Sequence, residues 1–269
     1  MHNVLICPIC GRDLIKNERV FRCESNHSFD ISKEGYVNLL MSNKKNSQEP
    51  GDNKLMVSSR EAFLSKDFYN KLREKLIEVS LIYKPKKSVV LDCGCGTGYY
   101  TTEFYRKRNT FDEFYGVDIS KFAVQKAAKK AKEITYFTAS VFDLPIKNNS
   151  IDLIFNIFAP KLDEEIKRIL KDDGVVLEVL PGEDHLIELK EILYDVVRKN
   201  KEEYSSNILK LKEIIPVKYK INLHSHEDIM SLLSMTPYMY KTKKEDIEKL
   251  NQIDKLSLTI DFNIIVWAL

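Results

Sequence analysis

The stretch Val89-Val90-Leu91-Asp92-Cys93-Gly94-Cys95-Gly96-Thr97-Gly98 decides the fold. An apolar, β-branched run ends in an acid, and three glycines alternate behind it. The chain has only 9 glycines in 269 residues, so their gathering in one loop is a signal. Tyr99-Tyr100-Thr101-Thr102-Glu103-Phe104 follows with helical spacing. Strand, glycine loop, helix is the context in which such a loop holds a ligand. Glycine reaches positive φ and lets a ligand approach the backbone closely. Further on, Phe114-Tyr115-Gly116-Val117-Asp118 reads as a second strand ending in a carboxylate. An acid there is placed to accept hydrogen bonds from a ribose diol.

Two cofactor classes use this arrangement. The spacing D-x-G-x-G-x-G, with Asp92 closing the strand, departs from the G-x-G-x-x-G of dinucleotide-binding domains. Downstream come Tyr136-Phe137-Thr138-Ala139-Ser140, then Val141-Phe142-Asp143-Leu144-Pro145, then Ser150-Ile151-Asp152-Leu153-Ile154-Phe155. That order is the layout of class I methyltransferases that use S-adenosylmethionine. Asp92 is expected beneath the cofactor's amine, with Gly94, Gly96 and Gly98 forming the loop around it. Strands are predicted at 88–92, 113–118, 135–139, 151–157, 175–180, 218–223 and 256–267. Helices are predicted at 67–79, 98–108, 121–132, 163–170 and 185–199, and Gly174 is read as a break before the fifth strand. The alternation implies an α/β, Rossmann-like, mostly parallel seven-stranded sheet with both faces covered. Ligands in such sheets lie outside the carboxyl ends of the strands. The glycine loop, Asp118, Ser140 and residues 156–160 all fall at such ends.

The cysteines mark a second unit. Cys7-Pro8-Ile9-Cys10 and Cys23-Glu24-Ser25-Asn26-His27 read C-x2-C-x12-C-x3-H, the spacing of a structural zinc site. Gly11 supplies a tight knuckle, and a hairpin over 14–22 returns the chain so that Cys23 and His27 complete a tetrahedron. Four protein ligands leave no open position for water, so the zinc is expected to be structural. The segment is too short to bury a core of its own, and the metal would supply its folding energy. Cys93 and Cys95 read instead as small apolar fillers beside the glycines. The zinc-binding module is assigned to 1–40 and the methyltransferase domain to 41–269, with a linker and helix over 41–85.

Composition limits the partners. Lys+Arg of 42 against Asp+Glu of 40 leaves a net charge of +2. That excludes a binder cationic over its whole surface but permits a local basic face. Lys44-Lys45, Lys126/Lys129/Lys130/Lys132 and Lys241/Lys243/Lys244 are the candidate clusters, although helical lysines commonly form a solvated face. Mean hydropathy is −0.30 and no apolar stretch approaches the length of a membrane span. The start Met1-His2-Asn3-Val4-Leu5 lacks the basic region and long apolar core of a secretory signal. A cytoplasmic protein with neither membrane nor DNA as partner is expected.

Several strings together resemble the RlmA family of 23S rRNA (guanine-N1)-methyltransferases. They are Cys7 to His27, Phe29-Asp30-Ile31-Ser32-Lys33-Glu34-Gly35-Tyr36-Val37-Asn38-Leu39-Leu40, Pro50-Gly51-Asp52, Asp92 to Tyr100, Pro181-Gly182 with His185 and Glu188-Leu189-Lys190, Met235-Thr236-Pro237, and Asp261-Phe262-Asn263-Ile264. The resemblance runs end to end. It implies a zinc module for RNA recognition, a homodimer, and a target hairpin in domain II of 23S rRNA. It places cofactor contacts on Tyr69, Gly96, Thr97 and His185. Family members often carry Glu at the position of Thr97, which leaves a backbone contact there. Class I enzymes place the ribose on Asp118, and Ser140 stands where many carry an adenine-reading Asp. Asn156 and Pro160, in Asn156-Ile157-Phe158-Ala159-Pro160, follow the fourth strand, where base-methylating enzymes place acceptor contacts. No catalytic base is legible. Phe158, Tyr99 and Tyr238 are candidate stacking platforms for a splayed base. Two other readings share parts of the pattern: a zinc-containing RNA- or ribosome-binding protein with a vestigial cofactor site, and a small-molecule methyltransferase.

Overall fold

A computed structural model describes residues 3–41, 50–108 and 112–269, so Lys44 and Lys45 lie outside the described residues. The glycine loop follows β5 (Val89–Cys93), whose five residues are all buried. The strand alternates between two cores. Val90 joins the core on one face, while Val89, Leu91 and Cys93 join the other. Burial on both faces explains why this strand is a continuous apolar run rather than an alternating one. It pairs in parallel with β6 (Glu113–Asp118) on one side and β8 (Ile151–Ile157) on the other. β7 (Thr135–Thr138) continues the sheet beyond β6. β9 (Leu170–Pro181) continues it beyond β8, and β11 (Leu256–Ala268) and β10 (Lys210–Leu223) close that side as antiparallel strands. The order reverses between β5 and β8, and that switch point opens the crevice where a ligand can enter.

Among the described residues the sheet has eight strands, not the seven expected. The eighth is β4 (Tyr36–Asn38), which pairs in parallel with β7 through Tyr36–Tyr136, Val37–Phe137 and Asn38–Thr138. Three residues carry no readable periodicity. Their place is set by the open edge of β7, whose backbone groups need partners. Gly174 does not break the chain. It lies within β9, where the register shifts and a Cβ would come within 2.5 Å of the Leu170 side chain.

The helices are α1 (Lys54–Leu64), α2 (Asn70–Tyr83), α3 (Tyr99–Lys107), α4 (Lys121–Lys130), α5 (Asp163–Ile169), α6 (Ile187–Leu193), α7 (His226–Ser234), α8 (Tyr238–Lys241) and α9 (Lys244–Glu248). α2 starts after Tyr69 rather than at 67, because Asp67 adopts φ 58. α6 is shorter than the expected 185–199. Leu186 enters it at φ 57, and beyond it the buried Lys190 ammonium binds Arg198 O at 3.3 Å and Asn200 Oδ1 at 2.9 Å. Those contacts hold residues 198–200 as irregular chain. No helix among the described residues is long and apolar enough to cross a membrane.

The cysteine-containing segment folds as a small antiparallel sheet of β1 (Ile15–Asn17), β2 (Val20–Arg22) and β3 (Ser28–Asp30). It packs on the face opposite α2 and α3. Cys7, Leu14, Phe21 and Cys23 share one apolar cluster with Leu91, Val117, Leu144 and Ile146.

Candidate functional site: a Cys3His cluster and a cofactor cavity

Four ligand-type side chains converge in the small sheet. All their ligand atoms lie within 4.8 Å of one another. Cys10 Sγ is 3.7 Å from Cys23 Sγ, and His27 Nδ1 is 3.5 Å from both Cys7 Sγ and Cys23 Sγ. A tetrahedral zinc, with Zn–S about 2.3 Å and Zn–N about 2.0 Å, sets sulfurs about 3.8 Å apart and sulfur to nitrogen about 3.5 Å apart. Those three separations match the ion, and His27 presents Nδ1. Gly11 makes the knuckle at φ 72, and its N–H donates to Cys7 O at 2.8 Å. The backbone N–H of Arg12 leads the effects that lower the Cys10 thiol, favouring the thiolate that a metal needs.

A cavity of about 300 Å³ opens at the carboxyl ends of β5, β6, β7 and β8. Tyr69, Gly94, Gly96, Thr97, Asp118 and Ser140 line it, as does Pro160, a candidate for acceptor contact. Four other expected residues do not. Asp92 lies beneath the loop at 2% exposure and accepts a hydrogen bond from the Thr101 hydroxyl. Loss of water pushes its carboxyl up to about 7, against the Thr101 hydrogen bond and with help from Asp118. Gly98 caps α3 at φ 76, where a Cβ would sit 3.0 Å from Ala127 Cβ. Asn156 is buried, and its amide donates to Pro160 O at 3.1 Å. His185 is buried one ring behind the cavity. It stacks on Phe262 at 4.4 Å, and Phe262 meets Tyr69 edge-on at 5.1 Å. Burial lowers the imidazole to about 3. Its Nδ1 accepts from Asp261 N–H at 3.4 Å, so the neutral ring carries its proton on Nε2.

The lining fits S-adenosylmethionine. At Gly96, φ is 53 and a Cβ would meet only Arg60 Cδ, at 4.0 Å, so the space above the loop is free. Gly96 N–H donates to one Asp118 oxygen at 2.9 Å, and Ser120 N–H to the other at 2.8 Å. Each oxygen keeps a lone pair for a ribose hydroxyl. Thr97 Oγ1 is buried without a protein partner, which suits a polar ligand. At Gly94 a Cβ would come within 2.5 Å of Ala159 Cβ, so glycine is needed for the two loops to meet.

Two further lining residues, Asp52 and Arg60, were not among the expected site residues. Their side chains pair at 2.8 Å over the loop. Pro50-Gly51-Asp52 marks a turn, but nothing in the spacing links it to the site. Gly51, at φ 80, lets it reach Ile119 and Ser120, and the Ser120 hydroxyl donates to Asp52 O at 2.6 Å. Phe142, at 53% exposure, also lines the cavity.

The candidate stacking residues separate. Phe158 lines the cavity and is 39% exposed. Tyr99 also lines it, but the Arg73 guanidinium lies 4.5 Å above its ring and its hydroxyl donates to Asp67 at 3.1 Å. Tyr238 packs against Tyr194 at 6.4 Å, outside the lining. Of the lysine clusters, Lys126 and Lys130 pair with Glu61, while Lys129, Lys132, Lys241 and Lys243 are exposed. Cys93 and Cys95 are buried, and loss of water raises both thiols, as fits apolar fillers.

The comparisons with known proteins agree with this geometry. The profile described as RlmA, N-terminal, matches residues 5–48, and a methyltransferase-domain profile matches 84–255. A Streptomyces fradiae protein named 23S rRNA (guanine(748)-N(1))-methyltransferase is 36% identical over 70% of this chain and 67% of its own. YxjB of Bacillus subtilis, named provisionally for 23S rRNA guanine-N1 methylation, is 28% identical over 97% of this chain and 95% of its own. Among solved structures, a Haloferax volcanii methyltransferase in complex with the activator Trm112 has a TM-score of 0.51 at 15% identity, over 81% of this chain and 99% of that one. That likeness concerns the fold alone. With the N-terminal segment and the methyltransferase domain both matched, this protein belongs to the RlmA family of 23S rRNA (guanine-N1)-methyltransferases.

Proposed function

We propose that this protein transfers a methyl group from S-adenosylmethionine to N1 of a guanine in the domain II hairpin loop of 23S rRNA. The observation that carries the reading is the union, on one chain, of a Cys3His cluster at zinc distances with an intact Asp92–Gly98 loop beside Asp118. A vestigial site would not preserve the open space at Gly96 or the free lone pairs of Asp118. A small-molecule methyltransferase would not need the ribbon.

When bound, S-adenosylmethionine supplies a methyl group activated by a sulfonium. The residues of the chain do the rest. Asp118 holds the ribose diol, Ser140 faces the adenine, and Gly94 to Thr97 with Tyr69 surround the methionine portion. Ile157 to Pro160 with Met235 form the acceptor end. In-line placement of the guanine nitrogen at about 3–3.5 Å from the methyl carbon is their main task. None of these acceptor-end side chains is titratable, so the N1 proton is assigned to water. Lys129, Lys132, Lys241 and Lys243 are exposed and available to RNA phosphates.

The module boundary at residue 40, the homodimer, the cytoplasmic location and the absence of a DNA partner belong to the same proposal and rest on the family resemblance. Mass spectrometry of 23S rRNA from cells with and without the gene tests the reading. A single N1-methylguanine in domain II that disappears on deletion is expected. An unchanged rRNA modification map would refute it. Sedimentation of the purified chain tests the dimer.

A further inference from the structure

Phe158 is the residue whose backbone and side chain disagree with ordinary packing. Five other described non-glycine residues adopt positive φ, and Phe158, at φ 56, is the aromatic one. A bulky side chain in that region is strained, and strain of this kind persists only where the surroundings impose it. Here they do. Phe158 N–H donates to Val179 O at 3.3 Å, and the Asn156 amide closes the turn onto Pro160 O at 3.1 Å. Gly94 leaves the space that Ala159 fills, since a Cβ there would lie 2.5 Å away. Three separate devices thus hold one turn in an unfavourable shape.

The result is not burial. Phe158 is 39% exposed and lines the cavity, as Pro160 and Met235 do. Its other side is braced. Phe262 lies 4.9 Å away at 46°, and Phe262 is itself 1% exposed, against Tyr69 at 5.1 Å and His185 at 4.4 Å. An aromatic ring backed by a buried aromatic stack and open on a cavity is a platform for another flat ring.

We propose that Phe158 is the surface on which the methyl-accepting guanine stacks, and that the strained turn exists to present it. The proposal rests on the rRNA reading above. Asn156 acts as a positioning residue through the turn, and His185 and Phe262 act as the rigid backing. This gives His185 a role that does not require it to touch the cofactor.

The test uses the full-length protein with zinc, a hairpin fragment of 23S rRNA and S-adenosylhomocysteine as cofactor probe. Phe158→Ala is expected to lower kcat/KM for the hairpin about 10- to 100-fold, the range for losing one base–aromatic stack. Its dissociation constant for S-adenosylhomocysteine should stay within about twofold of wild type, far below that range. Phe158→Tyr should retain most of the activity. Phe158→Gly, which removes the ring and relieves the positive φ, should lose activity as Ala does. Hairpin methylation by Phe158→Ala within about twofold of wild type would overturn the proposal. So would a parallel loss of S-adenosylhomocysteine affinity, which makes Phe158 a cofactor contact. If the wild-type protein leaves the hairpin unmethylated, the rRNA reading itself fails, and the Phe158 assignment with it.

Discussion

Asp92, one residue before the end of β5, carries a carboxyl that burial raises to about 7. The folded chain therefore keeps a proton that the unfolded chain releases near pH 4. Stability is greatest below that pH and is lost as pH rises through about 7, by up to about 1.4 kcal/mol per unit. Urea unfolding at about pH 5 and about pH 8 should show the slope, and Asp92→Asn should flatten it. Cofactor affinity should run the other way. A cationic ligand favours the ionised acid, so binding should tighten as pH rises through about 7, and titration calorimetry of Asp92→Asn should show no such trend. The glycines divide by similar logic. Gly94→Ala meets Ala159 and should cost about 1–3 kcal/mol of stability. Gly96→Ala meets open space, so it should leave more of the stability and instead weaken cofactor binding, read by calorimetry. The importance of the glycines was legible in the sequence, but the neighbour each one faces was not.

Elements are tied together at the opposite end of the sheet from the cavity. Arg108, after α3, is 6% exposed and donates to Asp112 at 2.8 Å, Ser80 Oγ at 2.9 Å and Lys84 O at 2.7 Å. Asp112 in turn accepts from Ser88 N–H at 2.7 Å, just before β5. One guanidinium thus joins the ends of α2 and α3 to the starts of β5 and β6. Arg108→Met strands a buried carboxylate and should cost about 3–5 kcal/mol by urea unfolding. Because the network lies at the amino ends of the strands, cofactor affinity of the folded fraction should not change. The strands and helices of the central alternation were readable, because buried parallel strands are unbroken apolar runs and helices carry their own period. β4 was not, since three residues have no period and depend on a partner about a hundred positions away.

At the scale of the whole molecule, the ribbon is part of the catalytic unit. Ile6 N–H donates to Pro145 O and Lys147 N–H to Val4 O, both at 2.9 Å, and Lys147 pairs with Asp13 at 2.7 Å. The same loop begins with Ser140, Val141 and Phe142, which line the cavity. Chelation should therefore loosen the Ser140 side of the cavity as well as the ribbon. Calorimetry with S-adenosylhomocysteine is expected to show affinity falling several-fold to about tenfold on zinc removal and returning with zinc. Cys7→Ser should behave like the chelated protein, and an unchanged dissociation constant would show the two sites to be independent.

The sequence by itself determined what depends on order along the chain: the strand–glycine loop–helix, the acid after the second strand, and the four zinc ligands. Those features work through local geometry, so spacing is enough to reveal them. Tertiary structure decided what depends on distant segments meeting. It brought Asp52 and Arg60 over the loop, withdrew His185 behind Phe262, set the ribbon against residues 144–147, and turned Phe158 outward at a strained φ. Each of these is fixed by packing between residues far apart in sequence, and no local pattern records such packing.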